Sequence, residues 1–328
     1  MLYNLLSPKF SDNVITVVAA AVVFIINYIL LAKPFAFLPR DGGKYVIDKD
    51  GNKVLINDKS SGKATGVGLV FIMVYLLGCL VFLPLDLELV LYAILSTAMM
   101  MTGFLDDAAK NPWGELTKGM LDLFLSVVTV VVFLVHNSSD ISFLGETIHL
   151  PVVVYGILAV MMIWASINIT NCTDGVDGLC GTISVVELFA LQLLFNDKMG
   201  KYASMDMFLA FAIVAYLAYN WNPSTVLMGD AGSRTIGFTI ALMCMKSGSP
   251  FSFILLSLVF AFDGGLGLVK LAVMRATKKD FLKNIRFPFH DHLRKNLKWE
   301  TKKVVLFFVG WEFIMCFIQG LLCYFVYK

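Results

Sequence analysis

Of the chain's 328 residues, 58% are hydrophobic and only 15% charged, and the mean hydropathy is +0.79, well beyond the roughly 45–50% apolar content of a soluble domain. This excludes a soluble globular fold and identifies an all-α integral membrane protein. The net charge of +2 gives no reason to expect a nucleic-acid partner, and the six cysteines, with no CxxC pair and mostly inside apolar runs, point to neither a disulfide framework nor a zinc site.

A helix crossing a bilayer needs about 20 mostly apolar residues, and that ruler places spans near 14–32, 66–84, 88–104, 119–135, 151–170, 178–195, 206–220, 235–247, 251–275 and 303–327. About ten transmembrane helices put both termini on one face of a single polytopic domain, 1–328. The opening MLYNLLSPKFSDNVITVV has no basic stretch followed by a small-residue cleavage site, so the first span is expected to remain as structure. After it, the loop 33–65 carries KYVIDKDGNKVLIND, two β-prone runs joined by Asp50-Gly51, which predicts a hairpin. On the other face, 136–150 mixes polar and apolar residues around Gly145 and predicts a second one. Gly264, Gly265 and Gly267 beside Asp263 predict a bend in the ninth span.

The loops after spans one, three, seven and nine, with their adjoining helix ends, hold twenty of the 26 basic residues; Lys9, Lys198, Lys201, Lys246 and Lys328 lie on the opposite face, and Lys270 inside span nine. By the positive-inside rule, the face with twenty is cytoplasmic.

On that same face, by the alternating direction of the spans, fall three acidic motifs. Asp106 and Asp107 close span three in GFLDDAAK, with Lys110 three and four residues on and Lys118 just beyond. A helical continuation puts Lys110 beside one carboxylate, which by itself is an ordinary solvated ion pair. NITNCTDGVDGLCG offers Asn171, Asp174 and Asp177 from a very short, glycine-rich loop suited to a sugar, a base or a metal, or to plain capping of span six. In YNWNPSTVLMGDAGSRTIG, the run from Gly229 to Ser233 resembles a backbone nest opening a helix, where amides and dipole attract phosphate. Asp230 opposes that phosphate unless a cation bridges them, which makes it a Mg²⁺ ligand candidate; N-capping by Asp230 or Ser233 is the plainer alternative. Gathered carboxylates repel one another and are tolerated when a cation or substrate group compensates.

The last loop of that face contains PFHDHLRKNLKWE, where an extended segment projects His290 and His292 one way and Asp291 the other, for phosphate binding or acid/base work. Glu187, Asp263, Lys270 and Glu312 lie within spans; Asp263 and Lys270 share a helix face as a candidate structural pair.

These motifs together resemble the polyprenyl-phosphate N-acetylhexosamine-1-phosphate transferase superfamily, most nearly its phospho-N-acetylmuramoyl-pentapeptide branch: GFLDD, NxTDGxDGL, NxxPxxVxMGDxGS and PxHxH stand in order along nearly the whole chain. The resemblance implies transfer of a phospho-sugar from UDP-N-acetylmuramoyl-pentapeptide to undecaprenyl phosphate, with Mg²⁺ as cofactor, at the cytoplasmic face of a bacterial plasma membrane, by a homodimer among membrane lipids. Residue by residue, it makes Asp106 and Asp107 the lipid-phosphate or proton-handling pair and Asp230 the metal ligand. It makes Asn171, Asp174, Asp177 and Asn220 the nucleotide-side site, has His290 and His292 contact substrate, and runs the lipid tail along the bent ninth helix. A relative using UDP-N-acetylglucosamine, and a cation-coupled transporter, are the competing readings. Three positions depart from the pattern: Asp291 replaces a central histidine, Leu227 an aromatic residue before MGD, and 63–68 reads KATGVG.

Overall fold

The computed structural model describes residues 2–33, 35–41, 62–109, 111–143, 145–279 and 282–326, and 44–47 and 53–57 by backbone alone. A short helix, α1 (Leu2–Leu6), precedes α2 (Asp12–Leu31). The first expected hairpin forms from β1 (Lys44–Ile47) and β2 (Lys53–Asn57), antiparallel with Tyr45 opposite Leu55. Then come α3 (Gly68–Phe82), α4 (Leu87–Ala108) and α5 (Glu115–His136), followed by the second expected hairpin, β3 (Asp140–Phe143) with β4 (Glu146–His149). Helices α6 (Val152–Thr173), α7 (Leu179–Met199), α8 (Lys201–Asn220) and α9 (Gly229–Lys246) follow. The ninth expected span is broken into α10 (Ser252–Leu256), α11 (Leu258–Phe260), a π-helical turn (Ala261–Gly265) and α12 (Leu266–Thr277). A short α13 (Phe289–Asp291), a second π turn (His292–Asn296) and α14 (Thr301–Val326) complete the described chain.

The chain is an all-α multi-pass membrane protein. Among the described residues, seven helices, α2, α4, α5, α6, α7, α8 and α14, are long and apolar enough to cross a bilayer by length and composition. The other three expected spans are helical as well, as the shorter α3, as α9 and as the broken segment from α10 to α12. The expected bend in the last of these is the π turn, where Gly264 lets α6 pass: a Cβ there would lie 2.7 Å from Cys172 Cβ and 2.8 Å from the Ile169 carbonyl. Such turns are rare, and most occur at functional sites.

Helix α9 is the axis of the bundle. Every residue from Ala231 to Met245 is buried, as expected of a helix surrounded by others, whereas α5 and α14 expose Phe124, Val131, Phe313 and Phe317 on a lipid-facing side. Without a hydrophobic force between helices in lipid, close approach relies on small residues. Gly232 of α9 meets Gly68 of α3; Gly237 lies against Ser166 of α6, whose hydroxyl donates to the Gly237 carbonyl at 2.6 Å. Gly103 of α4 touches the backbone of Asp230, and a Cβ there would stand 2.5 Å from the Asp230 carbonyl carbon and oxygen. Gly103→Ala is therefore expected to lower stability by about 1–3 kcal/mol through overpacking and to reduce turnover by displacing Asp230. Detergent melting and activity measured together check this, and an unchanged turnover would show that the contact does not position the site.

Two boundaries differ from expectation. Helix α4 runs on to Ala108, so Asp106 and Asp107 belong to its last turn, and α9 starts at Gly229, so Asp230 sits in its first turn. An apolar ruler stops at charged residues, but the helical hydrogen-bond ladder does not.

Candidate active site

The three acidic motifs, which lie between positions 106 and 230, meet at one end of the bundle. The lysine that joins the first of them to the last is Lys118, from the first turn of α5. Its ammonium pairs with Asp106 Oδ2 and lies 3.4 Å from Asp230 Oδ2. The other oxygen of buried Asp106 accepts from the Trp113 amide at 2.6 Å. Lys110 lies outside the described residues. The expected helical continuation toward it fails, because α4 ends at Ala108 and Ala109 turns to extended backbone. Half-buried Asp107 is less engaged: its Oδ2 accepts from the Ala231 amide at a long 3.4 Å and lies against Gly229. Gly229 has φ +65° and no room for a side chain beside that carboxylate, so glycine is required on both counts.

Asp230 is fixed from α6 as well. Asn171 Nδ2 donates to Asp230 Oδ1 at 2.8 Å and to Ser233 Oγ at 3.0 Å, while Ser233 Oγ also lies 3.0 Å from the Gly229 carbonyl as donor. Neither Asp230 nor Ser233 caps α9, which begins after Met228 with no side-chain cap. Behind this layer Arg234, one turn into α9, makes a fully buried ion pair with Asp122 of α5.

The NCTDGVDG turn closes the other side. The Gly178 amide donates to Asn220 Oδ1 at 2.8 Å, and Asn220 Nδ2 donates to the Val226 carbonyl at 2.9 Å, which ties α8 to the turn. Asp177 Oδ2 accepts from the Ser224 amide at 3.1 Å and from Asn222 Nδ2 at 3.3 Å, with Lys63 Nζ at 3.8 Å. The segment KATGVG reaches this end by pairing with the strand-like run before α9: the Leu227 amide donates to the Ala64 carbonyl at 2.9 Å and the Gly68 amide to the Met228 carbonyl at 3.0 Å. Together these elements enclose a polar cavity of about 290 Å³, walled by Lys63, Thr65, Asn171, Asp174, Gly175, Asp177, Asn220, Asn222, Asp230 and Arg294 among others.

Asp174, the C-cap of α6, projects into this cavity, and its carboxyl is pushed up to about 8, first by burial and then by the negative charges of Asp230, Asp107 and Asp177. Asp41, Asp174, Asp177 and Asp230 stand on the cavity wall with Lys63 and Arg294, and carboxyl groups so gathered are tolerated when a cation or a substrate group compensates. Among the described residues no three His, Cys, Asp or Glu side chains are placed to hold a metal by themselves. That suits Mg²⁺, which usually takes one or two carboxylates and completes its shell with waters and substrate phosphates.

The histidines differ from their expected arrangement. Residues 289–291 are helical and 292–296 form a π turn, so His290 and His292 do not project together from an extended segment, and neither lines the polar cavity. His290 is buried: its amide donates to Asp263 Oδ1 at 2.7 Å and its Nδ1 bonds Asp263 Oδ2 at 2.8 Å. A carboxylate only accepts, so Nδ1 donates to Asp263, and Nε2 is the ring nitrogen not bonded to it. That nitrogen abuts Gly175 of the cavity turn. His292 stacks on Phe289 and its Nδ1 accepts weakly from the Arg286 amide at 3.4 Å. Asp263 thus belongs with His290 and not with Lys270, whose ammonium donates to the carbonyls of Leu282 and Ile285.

Sequence reasoning assigns no role to Asp122 or Arg294 and gives Asp263 only a structural pairing with Lys270. Asp122 carries a legible signal, since a carboxylate in an apolar span four residues after Lys118 marks a polar helix face. At the far end of the bundle two lysines are paired: Lys246 reaches Glu88 at 3.0 Å and Asn137 at 2.7 Å, and Lys201 pairs with Asp86.

Residues 89–248 match the family model described as glycosyl transferase family 4. The phospho-N-acetylmuramoyl-pentapeptide-transferase of Treponema pallidum (strain Nichols) is 35% identical over 323 residues, 91% of this chain and 85% of that protein. Proteins of the same name from Carboxydothermus hydrogenoformans, 28% identical over 80% of this chain and 85% of theirs, and from Prochlorococcus marinus, 29% identical over 70% and 66%, are also similar.

Proposed function

The chain belongs to the phospho-N-acetylmuramoyl-pentapeptide-transferase family, and from that membership we propose that it transfers phospho-N-acetylmuramoyl-pentapeptide from its UDP carrier to undecaprenyl phosphate, giving lipid I and UMP in peptidoglycan synthesis. The observation that carries this reading is the convergence of Asp106, Asp107, Lys118, Asn171 and Asp230 at one end of the bundle, beside a polar cavity. A transporter would be expected to place its carboxylates near the midplane in broken helices; these lie at a bundle end. The excess of basic residues that the sequence assigns to the loops of that face supports its facing the cytoplasm of a bacterial plasma membrane. The assembly carried over with the family is a homodimer, to be read from the detergent-corrected mass.

In this reading the nucleotide and diphosphate occupy the cavity between the NCTDGVDG turn, Asn220 and Lys63. The isoprenoid tail follows the bent ninth span, where an apolar groove of about 370 Å³ lies between Phe262, Phe289, Phe308 and Trp311. An oxygen of the acceptor phosphate forms a bond to the β-phosphorus of the donor, the bond from that phosphorus to the bridging oxygen breaks, and UMP leaves. Asp230 would hold Mg²⁺, which would supply charge neutralisation for the diphosphate. Positioning and electrostatics carry most of the rate in such transfers.

The two aspartates of GFLDD divide the remaining work. Asp106, occupied by Trp113 and Lys118, holds the lysine that meets the acceptor phosphate. Asp107, which has no lysine partner among the described residues and accepts from backbone amides at the start of α9, takes the proton from the fraction of acceptor phosphate that still carries one. Asp107→Asn is expected to lower kcat about 10²-fold, the lower end of general-base contributions, and Asp106→Asn chiefly to raise the KM for lipid acceptor. The opposite pattern in steady-state kinetics with varied acceptor would reverse the roles. Substantial UMP release without acceptor would instead point to a covalent aspartyl intermediate.

A further inference from the structure

We propose that a second cavity, opening from the nucleotide cavity, receives the C-terminal carboxylate of the donor's peptide and thereby selects the muramoyl-peptide nucleotide over shorter UDP-sugars; this rests on the donor assigned above. The second cavity, of about 490 Å³, shares Asn222, Arg294 and Thr301 with the nucleotide cavity, and beyond them it is walled by Lys295, Trp299, Glu300 and Lys302. The two cavities therefore meet at a common wall, with Asp230 on the far side of the first and the foot of α14 beside the second. At about 290 Å³ the first lies at the small end of ligand sites, with no room for a pentapeptide beside a nucleotide and a sugar. A peptide on that sugar must leave it, and the shared wall at Arg294 is a built exit.

The chemistry of the second cavity suits an anion. Half-buried Arg294 spends one donor on the Gly175 carbonyl at 3.2 Å and has no carboxylate partner among the described residues, and neither has Lys302. Lys295 is neutralised by Asp291, and Glu300 stands on the wall as the one opposing charge. Arginine's fixed fork matches a carboxylate in two parallel hydrogen bonds. A peptide joined to the sugar through its amino end finishes in such a carboxylate. Trp299 offers an apolar wall for short side chains; Lys303 lies 4.2 Å from its ring centroid. Glu300, in turn, repels any second peptide carboxylate that enters out of register.

The test measures UMP release by the full-length protein with undecaprenyl phosphate and two donors, the UDP-muramoyl-pentapeptide with its C-terminal carboxylate and the same compound as a C-terminal amide. Wild type is expected to favour the carboxylate about tenfold or more in kcat/KM, and Lys302→Ala to raise the KM for that donor about tenfold while leaving the amide donor unchanged; Arg294→Gln, which also borders the nucleotide cavity, is expected to remove the preference, read as the ratio of the two donors' kcat/KM. Turnover of the amide donor shows in the same assay that each variant is folded, and Arg294→Lys is expected to recover part of the preference. Equal turnover of both donors by wild type, an undiminished preference in both variants, or an effect on the lipid KM alone overturns the proposal. No UMP from either donor with wild type would instead reject the parent reading of the reaction.

Discussion

Asp230→Ala is expected to abolish Mg²⁺-dependent UMP release, with turnover falling about 10³-fold or more. The magnitude follows from the place of this carboxylate. It stands at the start of α9 between Asn171 and Lys118, faces the cavity where the diphosphate binds, and is the residue to which the ion would be tied. Removing one preorganised electrostatic group from a transition state costs about 10²–10³-fold, and removing the charge that anchors a phosphoryl-transfer cation costs more. The fold should survive, because Asn171 keeps Ser233, and Lys118 keeps Asp106. Asp230→Asn separates charge from shape: it retains an oxygen for Asn171 and loses only the negative charge, so an equal defect assigns the effect to charge. Turnover that persists while its metal dependence disappears would remove Asp230 from the role of ligand.

The second large effect is on stability. Asp122 and Arg234 form an ion pair that is 2% exposed at either residue, in the layer directly behind Asp230. Breaking a buried pair by deleting one partner leaves an uncompensated charge in a low-dielectric interior, at about 3–5 kcal/mol. Asp122→Ala or Arg234→Ala should therefore lower the detergent melting temperature strongly. The double replacement Asp122→Leu with Arg234→Met, similar in volume, should recover most of the loss, because a pair replaced whole by apolar groups is often neutral. Nearly additive losses in the double variant would contradict this account and show that each residue is held by other partners.

Much of this was readable from the sequence, and the reasons differ from one element to the next. Span direction alone put Asp106, Asp107, Asp174, Asp177 and Asp230 on one face, and the Lys118 and Asn171 contacts bring three of the motifs into one cluster. Both hairpins were legible because turn chemistry is local. So was the bend of the ninth span, from its glycines. Side-chain pairing was not. Lys110, expected beside the Asp106–Asp107 pair because spacing counts only along one helix, lies outside the described residues; the described partner of Asp106 is Lys118, carried in by α5. His290 and His292 were read as an extended pair, but the short α13 turns His290 inward onto Asp263, 27 positions earlier, a contact no periodicity encodes. Arg294 escaped notice for the same reason, since its place between two cavities depends on α14 packing beside the NCTDGVDG turn.

The measurement that bears most directly on the whole account is a side-by-side assay of the purified protein with undecaprenyl phosphate, offering UDP-N-acetylmuramoyl-pentapeptide and UDP-N-acetylglucosamine in turn, with and without Mg²⁺. The expected result is UMP and lipid I from the muramoyl donor alone, only when both the metal and the lipid acceptor are present. Release of UMP from the N-acetylglucosamine nucleotide in preference, or from neither under any condition, would contradict it.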